Sequence, residues 1–88
     1  MRACFFKDGH EIVVEKKLSQ IQLIIDNKVW AEEINFFKVQ NSDYDLRGKA
    51  ENSDGTFVDV IISFKHGFFV DEVTLIYNGK EIDTKHMV

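Results

Sequence analysis

Pairs of residues that favour tight hairpin turns divide this sequence into short segments. Asp8-Gly9 and Asn78-Gly79 each stand between two apolar segments, and Asp26-Asn27 is a weaker pair of the same kind. A type I′ turn needs positive φ at both central residues, and Asp, Asn and Gly tolerate that conformation better than other residues. The sequence therefore predicts antiparallel strands joined by two-residue hairpins.

Further turn signals stand at His66-Gly67 and over residues 52–56. Together with the hairpin pairs, they predict an all-β domain of six to eight short antiparallel strands. We expect a sandwich or a strongly bent sheet. A chain of 88 residues has the length of one domain, so residues 1–88 are expected to form a single unit.

The turns also predict which residues face inward. If His66-Gly67 closes a two-residue loop, Phe64 faces Phe69 across it. With Asn78-Gly79 as the following loop, one face of a three-stranded meander collects apolar residues from all three strands. These predicted inward residues are Val58, Val60, Ile62, Phe64, Phe69, Val73, Leu75 and Ile82.

The N-terminal hairpin passes the same test. Asp8-Gly9 places Phe5 opposite Ile12 on one apolar face. A third inward row follows from strict alternation, and it contains Ile21, Leu23 and Ile25.

The segment 28–40 is compatible with two structures. Val29-Trp30 favours a strand, and the segment then forms a strand pair. Alternatively, a helix near 30–39 would place Trp30, Ile34 and Phe37 on one face and pack on the sheet in an α+β fold. No good capping residue precedes such a helix, which favours the strand.

Several apolar residues point away from the predicted inner face. They are Phe57, Ile61, Phe68, Val70 and Ile76, with Phe57 expected opposite Ile76. Three explanations compete: the chain covers both faces of its own sheet, the residues form a homodimer or partner surface, or they line a ligand groove. We single out these five residues as the candidate partner-binding surface.

Composition narrows the classes of partner. The net charge is −4, and charges of both signs are interspersed without a basic stripe. A nucleic-acid backbone or an anionic membrane is therefore not an expected partner. One cysteine, Cys4, cannot form an internal disulfide, and no signal peptide or membrane span is recognisable. These features predict a cytoplasmic protein.

Residues with catalytic or metal-binding chemistry form no recognisable motif. His10, His66 and His86 are not spaced as a metal pair, so we expect solvated histidines near turns and no metal site. Asp43 and Asp45 are expected to lie on a solvated polar face, as is the pair Asp71-Glu72. No catalytic residues and no cofactor are predicted.

The sequence thus favours a small non-catalytic protein-interaction module that binds a second copy of itself or another protein through an apolar sheet face. The alternative is a small-molecule-binding or enzymatic domain with acidic residues around an aromatic pocket. A pocket that holds Asp43, Asp45 or a perturbed histidine would favour this alternative.

Overall fold

Eight antiparallel strands form two four-stranded sheets, and the strands of each sheet pair in chain order. The computed structural model describes residues 1–17, 20–34, 43–67 and 69–87. The first sheet contains β1 (Arg2–Lys7), β2 (His10–Lys17), β3 (Gln20–Ile25) and β4 (Lys28–Glu33). The second sheet contains β5 (Tyr44–Glu51), β6 (Phe57–Lys65), β7 (Asp71–Tyr77) and β8 (Lys80–Met87). The prediction of an all-β fold built from hairpins is confirmed.

The helix alternative is wrong for the part of its segment that the structure describes. Residues Lys28–Glu33 form β4, which pairs with β3. Residues 35–42 lie outside the described residues. The β-branched and aromatic pair Val29-Trp30 outweighs the helical spacing of Trp30 and Ile34, because pairing with β3 satisfies the backbone of β4.

Three of the predicted hairpin turns are confirmed. Positive φ angles occur at Asp8 and Gly9 (52° and 80°), and at Asn78 and Gly79 (52° and 78°). The weaker pair Asp26-Asn27 turns in the same way, with φ of 49° and 68°. Each turn joins strands whose last and first residues are paired, as the two-residue loop requires.

The core lies between the two sheets and takes alternate residues from most strands. Its most deeply buried members are Ile12, Val14, Ile21, Leu23, Ala50, Val60, Ile62, Phe64 and Val73. Burying one such side chain contributes about 1.5–3 kcal/mol relative to leaving it in water. The strands β3 and β4 pack against β5, and β1 packs against β8. The sandwich therefore has two lateral edges where strands of different sheets approach each other.

The connection between β6 and β7 differs from the prediction. Lys65 pairs with Glu72 and Phe64 with Val73, so the connection is longer than a two-residue loop. Neither residue of His66-Gly67 has a positive φ, and no type I′ turn forms there. The strands slip by an even number of residues, which keeps the inner face of β6 unchanged. Phe69, expected inward, is 85% exposed.

A bulge explains the second error in the predicted inner face. Leu75 pairs with Asp83, but Ile76 pairs with Glu81, so Ile82 is an extra residue in β8. Ile82 is 41% exposed instead of buried. The other predicted inward residues of β6 and β7 are buried, apart from Val58, which is partly buried against the core.

Candidate functional site

A bulge also places the single tryptophan of the chain. Leu23 pairs with Ala31 and Ile24 with Val29, so Trp30 is the extra residue in β4. A bulge changes the direction of a side chain relative to simple alternation. Trp30 is half-buried and packs against the edge of the core. Its indole N–H donates a hydrogen bond to no other described residue.

Gly48 of β5 allows the two sheets to approach each other beside Trp30. A Cβ atom at this position would lie 2.7 Å from the Trp30 Cβ and 2.8 Å from the Ile25 Cδ1. Both separations are shorter than any side chain accepts. The sequence analysis assigned no role to this residue. Its role is to make room for the close approach of β4 to β5.

Two adjacent clefts open along this lateral edge, and they share Trp30 and Lys49. The first, called here the Ile61 cleft, has a volume of about 340 Å³ and includes Gly48 and Val60. The second, the Phe57 cleft, has a volume of about 270 Å³. We refer to both clefts together as the Trp30 groove. Its complete lining is Ile25, Asp26, Lys28, Trp30, Arg47, Gly48, Lys49, Glu51, Phe57, Asp59, Val60 and Ile61.

Charged residues of both signs border the groove. The Lys28 Nζ lies 4.6 Å from the centre of the Trp30 ring, within the range of a cation–π contact. Arg47 pairs with Asp45 across 3.5 Å at the surface. Lys49 makes no ion pair within the described ranges, although it lines both clefts. The groove thus has an aromatic and aliphatic centre, a charged rim and one lysine, Lys49, that both clefts share.

A buried histidine lies behind the Phe57 cleft. His10 is 7% exposed, and its Nδ1 lies 2.7 Å from the Asp26 Oδ2, while its Nε2 lies 3.1 Å from the Asn52 Oδ1. The hydrogen bonds to Asp26 and then Asn52 raise the pKa of His10, against the effect of burial. Burial would raise the pKa of Asp26, but hydrogen bonds from His10 and from the Glu11 amide outweigh it and lower that pKa. The prediction that His10 is solvated is wrong.

A second polar cluster lies at the other end of β2. The Lys16 Nζ lies 2.5 Å from the Asp71 Oδ2, and both side chains are buried. The His66 Nδ1 lies 2.8 Å from the Asp71 Oδ1. Asp71, expected on a solvated face, is therefore buried and paired with two basic groups. The pairing across the sheets supplies the compensation that a buried carboxylate needs.

The structure separates the residues that the sequence analysis grouped as a partner surface. Phe57 is 54% exposed and lines the Phe57 cleft, and it pairs with Glu51 instead of facing Ile76. Ile61 lines the first cleft and pairs with Ile76, and both are half-buried. Val70 is half-buried just before β7, away from the groove. Phe68 lies outside the described residues.

Sequence reasoning did not identify Trp30, Gly48 or Lys49 as site residues. One signal was available, because a glycine inside a strand pattern often marks a close approach of another backbone. The bulge at Trp30 leaves no comparable mark in the sequence. The burial of His10 and Asp71 depends on contacts between distant strands, which one sequence without its fold does not reveal.

Comparison with known proteins gives no information on the family or function of this chain. No known protein family, curated protein or solved structure matches this chain. Within the described ranges there is no helix with the length and apolar character needed to cross a membrane. The same residues contain no cluster of three or more side chains suited to a metal ion.

Proposed function

We propose that this chain is a non-catalytic interaction module that binds an extended segment of a partner protein in the Trp30 groove. The observation that carries the proposal is the pair of clefts that share Trp30. Tryptophan and arginine are the residues that most often dominate the energy of protein interfaces, and Trp30 lies beside Arg47 here. An apolar centre with a charged rim is also the usual arrangement of such interfaces.

The spacing of the clefts favours an extended ligand. Arg47 and Lys49 border the Ile61 cleft, and Lys49 and Glu51 border the Phe57 cleft, so the clefts follow each other along β5. Alternate residues of a strand lie about 7 Å apart and point to the same side. An extended peptide has the same repeat. Two of its apolar side chains, two positions apart, can therefore enter the two clefts.

The available polar groups specify the ligand further. Lys49 lines both clefts and makes no ion pair within the described ranges, so its ammonium group suits an acidic side chain next to the apolar anchors. The indole N–H of Trp30 suits a peptide carbonyl oxygen. The expected partner is thus an extended segment with two apolar residues two positions apart and an acidic residue beside them.

The partner surface expected from the sequence is an apolar sheet face, and the groove is the better candidate. The outer row of β6 is charged or polar at Asp59, Ser63 and Lys65. A flat contact through this face would bury those residues along with the apolar pair Ile61 and Ile76. Burying charges without partners costs free energy, whereas the groove offers enclosed apolar surface.

Selection of random peptides displayed on phage tests the proposal. We expect selected peptides to carry two apolar residues at i and i+2 and to change the fluorescence of Trp30, the only tryptophan. Phe57→Ser should weaken their binding about tenfold or more, because burial of a phenylalanine contributes about 1.5–3 kcal/mol. Lys49→Glu should weaken it about two- to fivefold, in the range of an exposed ion pair.

Matched controls make the result specific. Phe6 is also an exposed phenylalanine but lies in β1, so Phe6→Ser should leave binding unchanged. Lys80 is an exposed lysine of the same sheet outside the groove, and Lys80→Glu controls for Lys49→Glu. Equal losses in Phe57→Ser and Phe6→Ser would argue against the groove as the binding site.

A second copy of the chain is the partner in the homodimer version of this proposal. The adjacent pair Ile61 and Ile76 favours it, because the pair extends the apolar lining of the Ile61 cleft. Light scattering over about a hundredfold range of concentration tests for the self-association expected from such a surface. A dimer that dissociates in the variant Ile76→Ser would identify a second copy of the chain as the partner that binds the groove. The protein would then be a homodimer.

A small-molecule site is the second candidate function. Asp26, Glu51 and Asp59 surround Trp30, so acidic residues do lie around an aromatic pocket. Asp45, one of the acidic residues expected at such a site, is outside the groove and pairs with Arg47.

We propose the cytoplasm as the compartment of this protein. The free thiol of Cys4 is compatible with the reducing environment there.

A further inference from the structure

The side chain of His10 connects the two walls of the Phe57 cleft. One wall comes from the first sheet and includes Asp26, whose carboxylate binds the His10 Nδ1. The other wall comes from the second sheet, where Glu51 and Phe57 flank the loop 52–56. Asn52 begins this loop and binds the His10 Nε2. The imidazole ring is therefore a bridge between the two sheets, and it contacts the cleft through Asp26.

The hydrogen bonds of the loop determine the orientation of the Asn52 amide. The Thr56 hydroxyl has one proton and donates it to the Asp54 Oδ1 over 2.6 Å, since a carboxylate can only accept. Hydrogen bonds from Thr56 lower the pKa of Asp54, which keeps that group ionised. The Thr56 Oγ1 must then accept from the Asn52 Nδ2, at 3.1 Å.

This orientation determines the protonation of His10. Because the Asn52 amide nitrogen binds Thr56, its Oδ1 faces the His10 Nε2 and can only accept. The Asp26 carboxylate at Nδ1 can also only accept. Both ring nitrogens must donate, so the arrangement requires the imidazolium form of His10. A neutral ring would place two acceptors against each other, or it would require the Asn52 amide to turn and lose its bond to Thr56.

Charged groups near the ring also favour the protonated form of His10. Asp26 on the β3–β4 turn and Asp8 on the β1–β2 turn both carry negative charge near His10. Tyr77 of β7 lies close to the same two carboxylates, and burial raises its pKa, so this hydroxyl remains neutral. Within the described chain, Asp26 and Asp8 are the charged groups that raise the pKa of His10. The charge around His10 thus favours its protonated form.

We propose that His10 is a pH-dependent clamp: its imidazolium form holds both walls of the Phe57 cleft together, and loss of one proton releases the Asn52 wall. The cleft is then ordered while His10 is protonated and loosened once His10 has lost that proton. The effect of the clamp on ligand binding rests on the proposed function, but the clamp itself does not. The clamp itself and its effect on ligand binding can therefore be tested separately.

The first test uses NMR without any ligand. Long-range ¹H–¹⁵N spectra between about pH 5 and about pH 9 report the protonation of each ring nitrogen. We expect the Asn52 and Phe57 amide signals to shift with the same midpoint as the His10 nitrogens. The clamp would be overturned by a neutral His10 ring across the whole range, or by Asn52 and Phe57 signals that do not follow it.

The variant Thr56→Val distinguishes a clamp from a merely buried histidine. It removes the hydroxyl that orients Asn52, so the amide can turn and donate to a neutral ring. We expect the His10 midpoint to fall by about half a pH unit or more. The ring signals of the exposed His86, read in the same spectra, should be the same in the wild type and in Thr56→Val. An unchanged His10 midpoint in Thr56→Val would contradict the proposed role of Thr56 in orienting Asn52.

The second test uses the selected peptides. Their affinity should fall about threefold or more between about pH 6 and about pH 9 for the wild type, and less for Thr56→Val over the same interval. If no peptide binds, the proposed function fails, while the NMR titration still decides on the clamp. If peptides bind equally well at both pH values, the control of the groove by His10 fails and the groove remains.

Discussion

The two ends of β2 connect the sheets in different ways. At the C-terminal end, Lys16 binds Asp71 of the opposite sheet directly, and both side chains are almost completely buried. At the N-terminal end, His10 binds Asp26 of its own sheet, whose side chain is 44% exposed. His10 reaches the opposite sheet only through the neutral amide of Asn52.

This difference bears on where a ligand can enter. A buried ion pair costs several kcal/mol to break, because the remaining charge has no partner and no water. A half-exposed link through a titratable ring and an amide is easier to open. Binding regions are commonly drawn from the less stable parts of a fold. The Phe57 cleft lies at the His10 end, which is the end that can adjust.

The strongest test of this comparison breaks the buried end. Asp71→Asn leaves the Lys16 ammonium without a charged partner, and we expect a loss of about 3–5 kcal/mol in the free energy of unfolding. Urea unfolding followed by Trp30 fluorescence measures it. Glu72→Gln, at the neighbouring and half-exposed position, is the control and should cost less than about 1 kcal/mol.

A double variant shows whether the cost comes from the unpaired charge. Lys16→Met combined with Asp71→Leu removes both charges and keeps apolar volume between the sheets. We expect it to recover most of the stability that Asp71→Asn loses, as replacements of buried ion pairs often do. If Asp71→Asn alone costs less than about 1 kcal/mol, the Lys16 end is not the stronger link.

Between the two ends, Gly48 tests how closely the sheets approach at the groove. Gly48→Ala places a methyl group against the Trp30 Cβ, which cannot move without shifting β4. We expect a loss of about 1–3 kcal/mol from overpacking and a change in Trp30 fluorescence. Lys49→Ala, at the next and exposed position, should leave the free energy of unfolding and the Trp30 fluorescence nearly unchanged. A Gly48→Ala variant as stable as the wild type would mean that β4 and β5 are not in close contact.

The stabilisation contributed by His10 and Asp26 at the N-terminal end of β2 should depend on pH. The folded protein holds the pKa of His10 above its ordinary value of 6.5, so the stabilisation is fully present below 6.5 and is lost as pH rises through the raised pKa. Asp26 has a pKa below its ordinary value of 3.8, so its contribution is present above 3.8 and is lost as pH falls through the lowered pKa. The contact between His10 and Asp26 should therefore stabilise the fold most between pH 3.8 and pH 6.5.

His10→Gln measures this contribution. In that pH window we expect the variant to be less stable than the wild type by about 1.5 kcal/mol, the lower range for hydrogen bonds to charged groups. The difference should shrink above the raised pKa of His10. Urea titrations of both proteins at several pH values give the result. A difference that grows with pH would show that neutral His10 makes the stabilising contact.

Local features of the sequence were sufficient to predict much of this fold. Asp8-Gly9 and Asn78-Gly79 determine their own turns, because the φ angles they permit are local properties. Alternation then placed Ile21, Leu23 and Ile25 in the core. These predictions needed no contact between distant parts of the chain.

The errors arise where a distant contact or a bulge decides the geometry. The connection between β6 and β7 is longer than predicted, and Asp71 at its end is bound by Lys16 from the other sheet and by His66. The extra residues Trp30 and Ile82 break alternation, and neither bulge has a signal in the sequence. The candidate site was missed for the same reason, since the groove exists only where β4 and β5 meet.

The smallest expected effect concerns Tyr77, which lies near the carboxylates of the His10 end. Its hydroxyl is buried and has no hydrogen-bond partner within the described part of the chain. A buried group already without a partner is costly, so its removal should not destabilise the protein. We expect Tyr77→Phe to change the free energy of unfolding by less than about 0.5 kcal/mol, or to stabilise slightly. A loss above about 1 kcal/mol would show that the hydroxyl donates to Asp8 in solution, and would add a further link to the adjustable end.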